Sequence, residues 1–494
     1  MTHTAKLALT ILLTALLLGV VGDGLLRTTP WGLNLLLWVL AIALSILVVA
    51  RWQNIPLTGG GRWLIGPALL FAALFALRDS IMLNAANLLA ILICLALIAY
   101  RALQGRIRVA TLTDYARGLV TTTACTLFGA FTLVFDDIKW KPVSLGRSSW
   151  HAAAVGTGVL IAIPALLVFG GLLTAADAVF QKLIGDLFNW DAYEILSHTF
   201  WIGFWAWVMA GFLRMTFLFR EGATKLSGYR GLLGAVEVGI VLGSLIALFA
   251  GFVIVQFRYL FGGVEALRSV VKLSYADYAR RGFFELVTVA ALALPLLLFA
   301  HWLLPKSQPQ AGRVFGALAG SLIGLLFVSM ASALQRMRLY QREFGLTELR
   351  LYTTAFMGWL AVVFGWFAAT VLRGRRDRFA FGALVAGFIL IGGLHALNPD
   401  AQIVRVNLSR VEAPHPPDVY YLAGLSADAV PALIDALPSM SQADRCFVAA
   451  ILLERWSPPG DVDWRTWNWS RVEAWRAVDS NSGRLREWAC PGER

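Results

Sequence analysis

The sequence predicts an all-α, polytopic transmembrane helix bundle of about 11 spans, with about 10–12 possible, and a small C-terminal helical extramembrane domain. The 494 residues are 58% hydrophobic and 15% charged, and the mean hydropathy is +0.69. Soluble globular proteins carry about 25% charged residues, so this composition favours the membrane class. Apolar runs of about 18 residues recur, and each is long enough to cross hydrocarbon as a helix. Barrel strands alternate apolar and polar residues, which these runs do not do.

The apolar runs define the elements in chain order. Lys6 precedes the first run, but no small-residue cleavage site follows, so we expect an uncleaved span and not a signal peptide. The predicted spans are Leu7–Val21, Trp31–Ala50, Trp63–Leu77, Ser80–Tyr100, Ala152–Ala175, Leu196–Phe219, Leu232–Phe257, Phe283–Leu304, Val314–Leu334, Leu351–Leu372 and Phe379–Leu397.

The segment Leu119–Phe135 is ambiguous. It is about 17 residues long and carries five threonines, so a span, a re-entrant element and a buried helix all stay open. We expect three regions: residues 1–117 with the first four spans, residues 118–397 as the main bundle, and residues 398–494 as a soluble tail.

The net charge of +12 comes from basic residues that cluster between the apolar runs. This distribution is typical of membrane orientation signals and argues against nucleic-acid binding. If Leu119–Phe135 does not cross, the loops predict a cytoplasmic N-terminus and a tail on the outer side. The basic stretch 334–352 then lies on the outer side, against the charge rule.

That stretch is a charged corner between two spans. Leu334–Phe344 continues the preceding helix, Gly345 suits its left-handed end, and Thr347 is expected to cap the next helix through its side chain. Three interpretations stay open: a loop with snorkelling arginines, internal ion pairing, and a site for an anionic lipid headgroup or another anion. The candidate anion-site residues are Arg336, Arg338, Tyr340, Arg342, Glu348 and Arg350.

Three ionisable residues mark candidate intramembrane positions. Glu237 and Glu285 lie near the starts of their spans, and Arg281 precedes Glu285 by one helical turn. Ionisable groups in spans are costly, so both structural pairing near the interface and a transport or proton site stay open.

Glycine recurs at every fourth residue around the start of one span. On a helix such residues form a stripe that lets a second helix approach closely. The predicted packing glycines are Gly312, Gly316, Gly320 and Gly324.

The tail is polar and rich in tryptophan. Ser441 is expected to cap an amphipathic helix, and Ser470 with Glu473 to form a capping box. Cys446 and Cys490 are the only cysteines after residue 398. An oxidising compartment would let them form a disulfide, and an accidental pair is the alternative.

Several stretches resemble one bacterial membrane-protein family. They are TAADAVF (Thr174–Phe180), GFVIVQFRYLFGG (Gly251–Gly263), YADYARRGFFEL (Tyr275–Leu286), SALQRMRLYQREFGLTELRLYT (Ser332–Thr353), LNPDAQIVRVNLSR (Leu397–Arg410) and YLAGLSADAVPAL (Tyr421–Leu433). The family is catalogued as domain of unknown function 4173. The resemblance implies a polytopic protein of a bacterial inner membrane, so the outer side that holds the tail would be the periplasm. The family has no agreed activity, and the resemblance identifies no functional residues.

No motif identifies a reaction. The six His and four Cys show no metal-ligand spacing and the glycines form no P-loop, so no cofactor is expected and a non-enzyme is favoured. The expected partners are the lipid bilayer and anionic lipid headgroups. Two functions stay open: a transporter or lipid-handling protein, and a membrane-anchored sensor or scaffold that acts through the tail.

Overall fold

A computed structural model describes residues 3–57, 60–101, 110–138, 190–219, 235–261, 283–304, 309–410 and 417–489, together with the single residues 173, 177, 179 and 182. Every regular element in these ranges is helical. The predicted all-α fold class is therefore confirmed.

We number the α-helices in order through the described ranges. Eleven precede the tail: α1 His3–Leu26, α2 Leu33–Trp52, α3 Ile65–Leu77, α4 Ile81–Arg101, α5 Leu112–Thr132, α6 Trp190–Phe217, α7 Ala235–Phe261, α8 Phe283–Leu303, α9 Pro309–Phe344, α10 Glu348–Thr370 and α11 Phe379–Leu397. The tail contributes α12 Pro399–Leu408, α13 Val419–Ala423, α14 Val430–Ala436, α15 Gln442–Trp456, α16 Trp469–Ser480 and α17 Ser482–Trp488.

Within the described ranges, 10 helices are long and apolar enough to cross a membrane, which confirms a polytopic helix bundle. The ambiguous segment Leu119–Phe135 belongs to one of them, Leu112–Asp137, whereas the predicted span Trp63–Leu77 corresponds to a shorter apolar helix, Gly61–Leu77. The predicted span Ala152–Ala175 lies almost entirely outside the described residues.

Two capping predictions are correct and two need correction. Gly345 ends α9 at φ +76°, and the Ser441 side chain accepts a hydrogen bond from the Asp444 amide. Thr347 does stand at the N-cap of α10, but its side chain makes no capping hydrogen bond. The predicted box of Ser470 and Glu473 is wrong, because Asn468 caps α16.

The buried residues form three apolar cores. The first joins α1–α6 with part of α11, and the second joins α7–α10 with Phe379 at the start of α11. The third lies within the tail and extends onto α10 and α11 and onto Leu83 of α4. The predicted boundary between the first two regions, at residue 117, stays a prediction. The packing places α4 and α5 in one core.

The tail packs against one end of the bundle. The Leu33 amide donates to the Trp467 carbonyl, and the Glu348 amide donates to the Tyr421 hydroxyl. The Ser470 hydroxyl lies 2.9 Å from the Leu77 carbonyl oxygen. The α1–α2, α3–α4 and α9–α10 corners therefore share the end of the bundle that holds the tail. We call this contact region the junction.

Candidate functional site

The Asp428 carboxylate is the centre of the junction. Asp428 is 5% exposed and follows Ser426, which caps a short 3₁₀ turn. One of its oxygens accepts from the Arg78 guanidinium at 3.1 Å and from the Ser470 hydroxyl at 2.5 Å. The other accepts from the amides of residues 79 and 80 at 2.8 and 3.0 Å. These hydrogen bonds offset the cost of burying a carboxylate.

A second ion pair lies beside the first. The Arg471 guanidinium lies 3.0 Å from the Asp79 carboxylate and donates to the Trp31 carbonyl at 2.6 Å. Burial raises the pKa of Asp79 and lowers the pKa of Arg471, and each group opposes the shift of the other. Together with Arg78 and Asp428, the junction thus encloses two positive and two negative charges.

Asp400 adds a carboxyl group that has no cationic partner among the described residues. It is 1% exposed, and its Oδ2 accepts from the Ser426 hydroxyl at 2.5 Å. Its Oδ1 has no hydrogen-bond partner among the described residues. Burial raises the pKa of Asp400 to about 6, and the charges of Glu348 and Asp428 contribute to the rise. Burial thus holds the pKa of Asp400 well above the ordinary range of an aspartate.

The α9–α10 corner is held by a side-chain amide. Asn407 accepts from the Leu346 amide at 2.7 Å and donates to the Leu346 carbonyl at 2.7 Å. A Cβ atom at Gly345 would lie 2.3 Å from the Asn407 oxygen, so the corner requires glycine for space as well as for its positive φ.

Two arginines satisfy the carbonyls at the end of α9. Arg410 donates to the Arg342 and Glu343 carbonyls at 2.6 and 2.7 Å, and Arg350 donates to the Phe344 carbonyl at 3.1 Å. The last carbonyls of a helix carry its negative dipole end, so cations are favoured there. These contacts are a structural reason for basic residues in a corner that the predicted topology places on the outer side, against the charge rule.

The structure brings together only part of the predicted anion site. The Arg350 guanidinium stacks on the Tyr340 ring at 4.2 Å, and Glu348 begins α10. Arg338 and Arg342 are exposed on α9, and Arg336 is half-buried. Anion binding at these six residues stays a prediction.

The predicted intramembrane carboxylates lie at helix starts. Glu237 and Glu285 are exposed residues in the first turns of α7 and α8. Their predicted partner Arg281 lies outside the described residues. A transport role for Glu237 and Glu285 stays a prediction.

The glycine stripe of α9 does not contact another helix closely in the part of the chain that the structure describes. No described atom lies within 4 Å of a Cβ built at Gly312, Gly316 or Gly324, and Gly320 meets only the Leu372 side chain at 3.9 Å. The close glycine contacts lie elsewhere: a Cβ at Gly211 would lie 2.3 Å from the Thr126 carbonyl oxygen. Packing of the stripe against another element stays a prediction.

The tail cysteines are only partly described. Cys446 is 8% exposed and disulfide-bonded, whereas Cys94 and Cys125 are free thiols. Cys490 lies outside the described residues, so its pairing with Cys446 stays a prediction.

A groove of about 840 Å³ lies at the edge of the junction. Val21, Gly24 and Leu25 from the last turns of α1 form one wall, and the tail segment Asp461–Arg465 forms the other. Arg465 donates to the Asp463 carboxylate and to the Gly24 carbonyl, which ties the two walls together. These hydrogen bonds lower the pKa of Asp463, so the pair is ionised. We refer to this feature as the groove.

Sequence reasoning missed the residues at the centre of the junction. No functional motif contains Arg78, Asp428 or Arg471. In the sequence Asp79 indicates only the boundary of a span. One signal was available, because three of the stretches that carry the family resemblance contain Gly345, Asp400 and Asp428.

Comparison with known proteins gives a family without an activity. A family model described as Domain of unknown function (DUF4153) matches residues 65–436. The expectation of a family of unknown function is confirmed, although its number is 4153 and not 4173. No curated protein and no solved structure matches the chain.

Proposed function

The chain belongs to the DUF4153 family, which has no assigned activity, and we propose from its geometry that it is a lipid-handling protein of a bacterial inner membrane. The proposal places the N-terminus in the cytoplasm and the tail in the periplasm. The basic bias of the loops supports this orientation on the condition that Leu119–Phe135 does not cross, although its helix is long and apolar enough to do so. In this topology the α1–α2 and α3–α4 corners lie on the side of the tail, and the basic α9–α10 corner lies there too, against the charge rule.

The groove is the observation that carries the proposal. Val21 and Leu25 lie in α1, which is long and apolar enough to cross the bilayer, so this wall lies near the membrane boundary. The opposite wall carries the charged residues Asp461, Asp463 and Arg465. An apolar wall that faces a charged wall at this depth matches a molecule with an acyl chain and a polar headgroup.

The junction holds the groove in one shape. The ion pairs of Asp428 and Arg471 fix the tail to the helix ends, and the Arg465 side chain bridges directly to α1. A rigid site binds its ligand without a large ordering cost. The tail therefore acts as a fixed wall of the lipid site.

Filling the groove tests the proposal. Gly24 and Gly66 are exposed helical glycines with no described atom within 4 Å of a built Cβ, but only Gly24 lines the groove. We expect the wild type and Gly66→Trp to retain a phospholipid in native mass spectrometry after detergent exchange, and Gly24→Trp to lose it. Equal lipid retention by both variants would contradict a lipid site at the groove.

A second candidate is a scaffold that acts through the tail. Tyr420 is 69% exposed and contacts the half-buried Phe447 with ring centroids 4.2 Å apart. An exposed tyrosine held by a second ring is the kind of residue that partner proteins contact. A photoreactive amino acid at position 420 should then give a discrete protein adduct in cells, and one at the exposed position 435 should not. The same adduct pattern at both positions would argue against the scaffold.

A further inference from the structure

The charges of the groove distinguish between headgroups. Arg465 has five N–H donors, and its Nε, Nη1 and Nη2 atoms each make a hydrogen bond, to Asp463 or to the Gly24 carbonyl. Two N–H groups remain for a ligand. Asp463 already balances the charge of Arg465, so the electrostatic attraction of the pair for a phosphate is weak. A phosphate would bind mainly through hydrogen bonds from these two N–H groups.

Asp461 supplies the remaining charge. It is exposed, lines the groove and forms no ion pair with any described residue. With Asp463 and Arg465 cancelling each other, the groove has a net charge of about −1 at neutral pH. A purely anionic headgroup is therefore disfavoured, and a headgroup that carries a cation is favoured.

Trp464, which follows Asp463, adds an aromatic surface to the groove. Its side chain is 62% exposed, although it lines the groove. A tryptophan face attracts an ammonium group, and exposed tryptophans are enriched at the depth of lipid headgroups. Trp467 and Trp469 are also exposed, and the Trp467 carbonyl accepts from the Leu33 amide at the start of α2. These contacts place the aromatic segment at the level of the helix ends.

We propose that the groove binds a zwitterionic phospholipid with a primary amine, of the phosphatidylethanolamine type. The ammonium group contacts the Asp461 carboxylate and the Trp464 ring, the phosphate accepts from the two remaining N–H groups of Arg465, and an acyl chain lies along Val21 and Leu25. This inference rests on the proposed lipid-handling function and adds the class of lipid. The apolar wall selects the membrane lipid over a soluble phosphate ester of the same amine.

A competition between lipids tests the proposal. Delipidated full-length protein in detergent is mixed with equal amounts of phosphatidylethanolamine and phosphatidylglycerol, and the bound lipids are counted by native mass spectrometry. We expect the ethanolamine lipid to be bound in severalfold excess. Asp461→Asn should reduce this ratio about threefold to fivefold, as expected for one exposed charge contact. Asp435→Asn, at an exposed position in α14, should leave it unchanged.

The outcomes separate the two proposals. Equal binding of both lipids by the wild type overturns the headgroup assignment and leaves the lipid site intact, whereas no bound lipid overturns the proposed function itself. Displacement of the lipid by soluble phosphoethanolamine at equal concentration overturns the choice of a membrane lipid. Trp464→Leu provides a second variant that should also lower the ratio, and thermal unfolding checks that each variant is folded.

Discussion

Asp428 in the tail and Arg78 at the α3–α4 corner are 350 residues apart in the chain and form a buried salt bridge of 3.1 Å. The Asp428 side chain is 2% exposed and the Arg78 side chain is 17% exposed. Desolvation of two charges is costly, so their pairing requires that the tail and the helix ends meet in one defined arrangement. The tail is thus part of the packed structure of the membrane bundle.

Removing the charge of Asp428 should loosen the junction. Asp428→Asn leaves Arg78 without its carboxylate, and the side-chain NH2 group of the asparagine then faces groups that are themselves hydrogen-bond donors. We therefore expect a loss of about 3–5 kcal/mol in the free energy of unfolding. Thermal unfolding in detergent measures the effect. Asp435→Asn changes an exposed carboxylate in the same domain and should have little effect; equal behaviour of the two variants would show that the salt bridge is dispensable.

Asp400 should make the stability depend on pH. Its pKa in the folded protein is about 6, above the ordinary value of 3.8, so between these values the folded form binds more protons than the unfolded form. Stability contributed by this group is therefore present below about pH 4 and is lost as the pH rises to about 6, by about 3 kcal/mol in all. Asp400→Asn should equal the wild type at low pH and exceed it at pH 8.

Unfolding curves of the wild type and Asp400→Asn from pH 5 to pH 8 check this expectation. The difference between the two proteins should grow with pH and level off above about pH 7. Asp435→Asn serves as the control and should run parallel to the wild type. A constant difference between wild type and Asp400→Asn at all pH values would mean that Asp400 does not titrate in this range.

Gly345 and Gly374 form a matched pair for testing the α9–α10 corner. Both have φ +76°, but a Cβ at Gly345 would meet Asn407, and a Cβ at Gly374 meets no described atom. Alanine should cost about 1–2 kcal/mol of backbone strain at each site. At Gly345 the displaced Asn407 should add about 1–2 kcal/mol. Equal losses in thermal stability would contradict the close contact with Asn407.

Close helix contact should make one glycine sensitive and another tolerant. Gly211→Ala forces a Cβ into the Thr126 carbonyl of α5 and should cost about 1–3 kcal/mol. Gly316→Ala, in the stripe of α9, should be neutral or slightly stabilising because alanine favours a helix. Thermal unfolding of the two variants in detergent tests this difference. A strong loss of thermal stability in Gly316→Ala would show that the glycine stripe is a packing surface.

The fold class could be predicted from the sequence because hydrocarbon leaves few solutions for a long apolar segment. Runs of about 20 apolar residues form helices in a bilayer, since the backbone must satisfy its own hydrogen bonds there. Gly345 was predictable for a different but also local reason, because glycine is favoured where the backbone needs a positive φ. These features depend on residues that are close in the chain.

The junction could not be predicted because its partners are distant in the chain. Ser470 followed by Glu473 matches a capping box, yet the Ser470 hydroxyl lies within hydrogen-bonding distance of the Asp428 carboxylate and of the Leu77 carbonyl. Thr347 has the right position for a cap, but the hydroxyl of Tyr421 accepts the first amide of α10. In both cases a tertiary contact replaces the local one, and no local pattern reports it.

Hydrogen exchange at the amides of residues 79 and 80 is the most direct test of whether the tail is docked on the bundle. The amides of Asp79 and Ser80 lie in the short corner between α3 and α4 and donate to the Asp428 carboxylate at 2.8 and 3.0 Å. In full-length protein in nanodiscs we predict slow exchange at these two amides, and fast exchange after Asp428→Asn. Exchange within seconds in the wild type, as in an open loop, would contradict a tail that is fixed to the bundle.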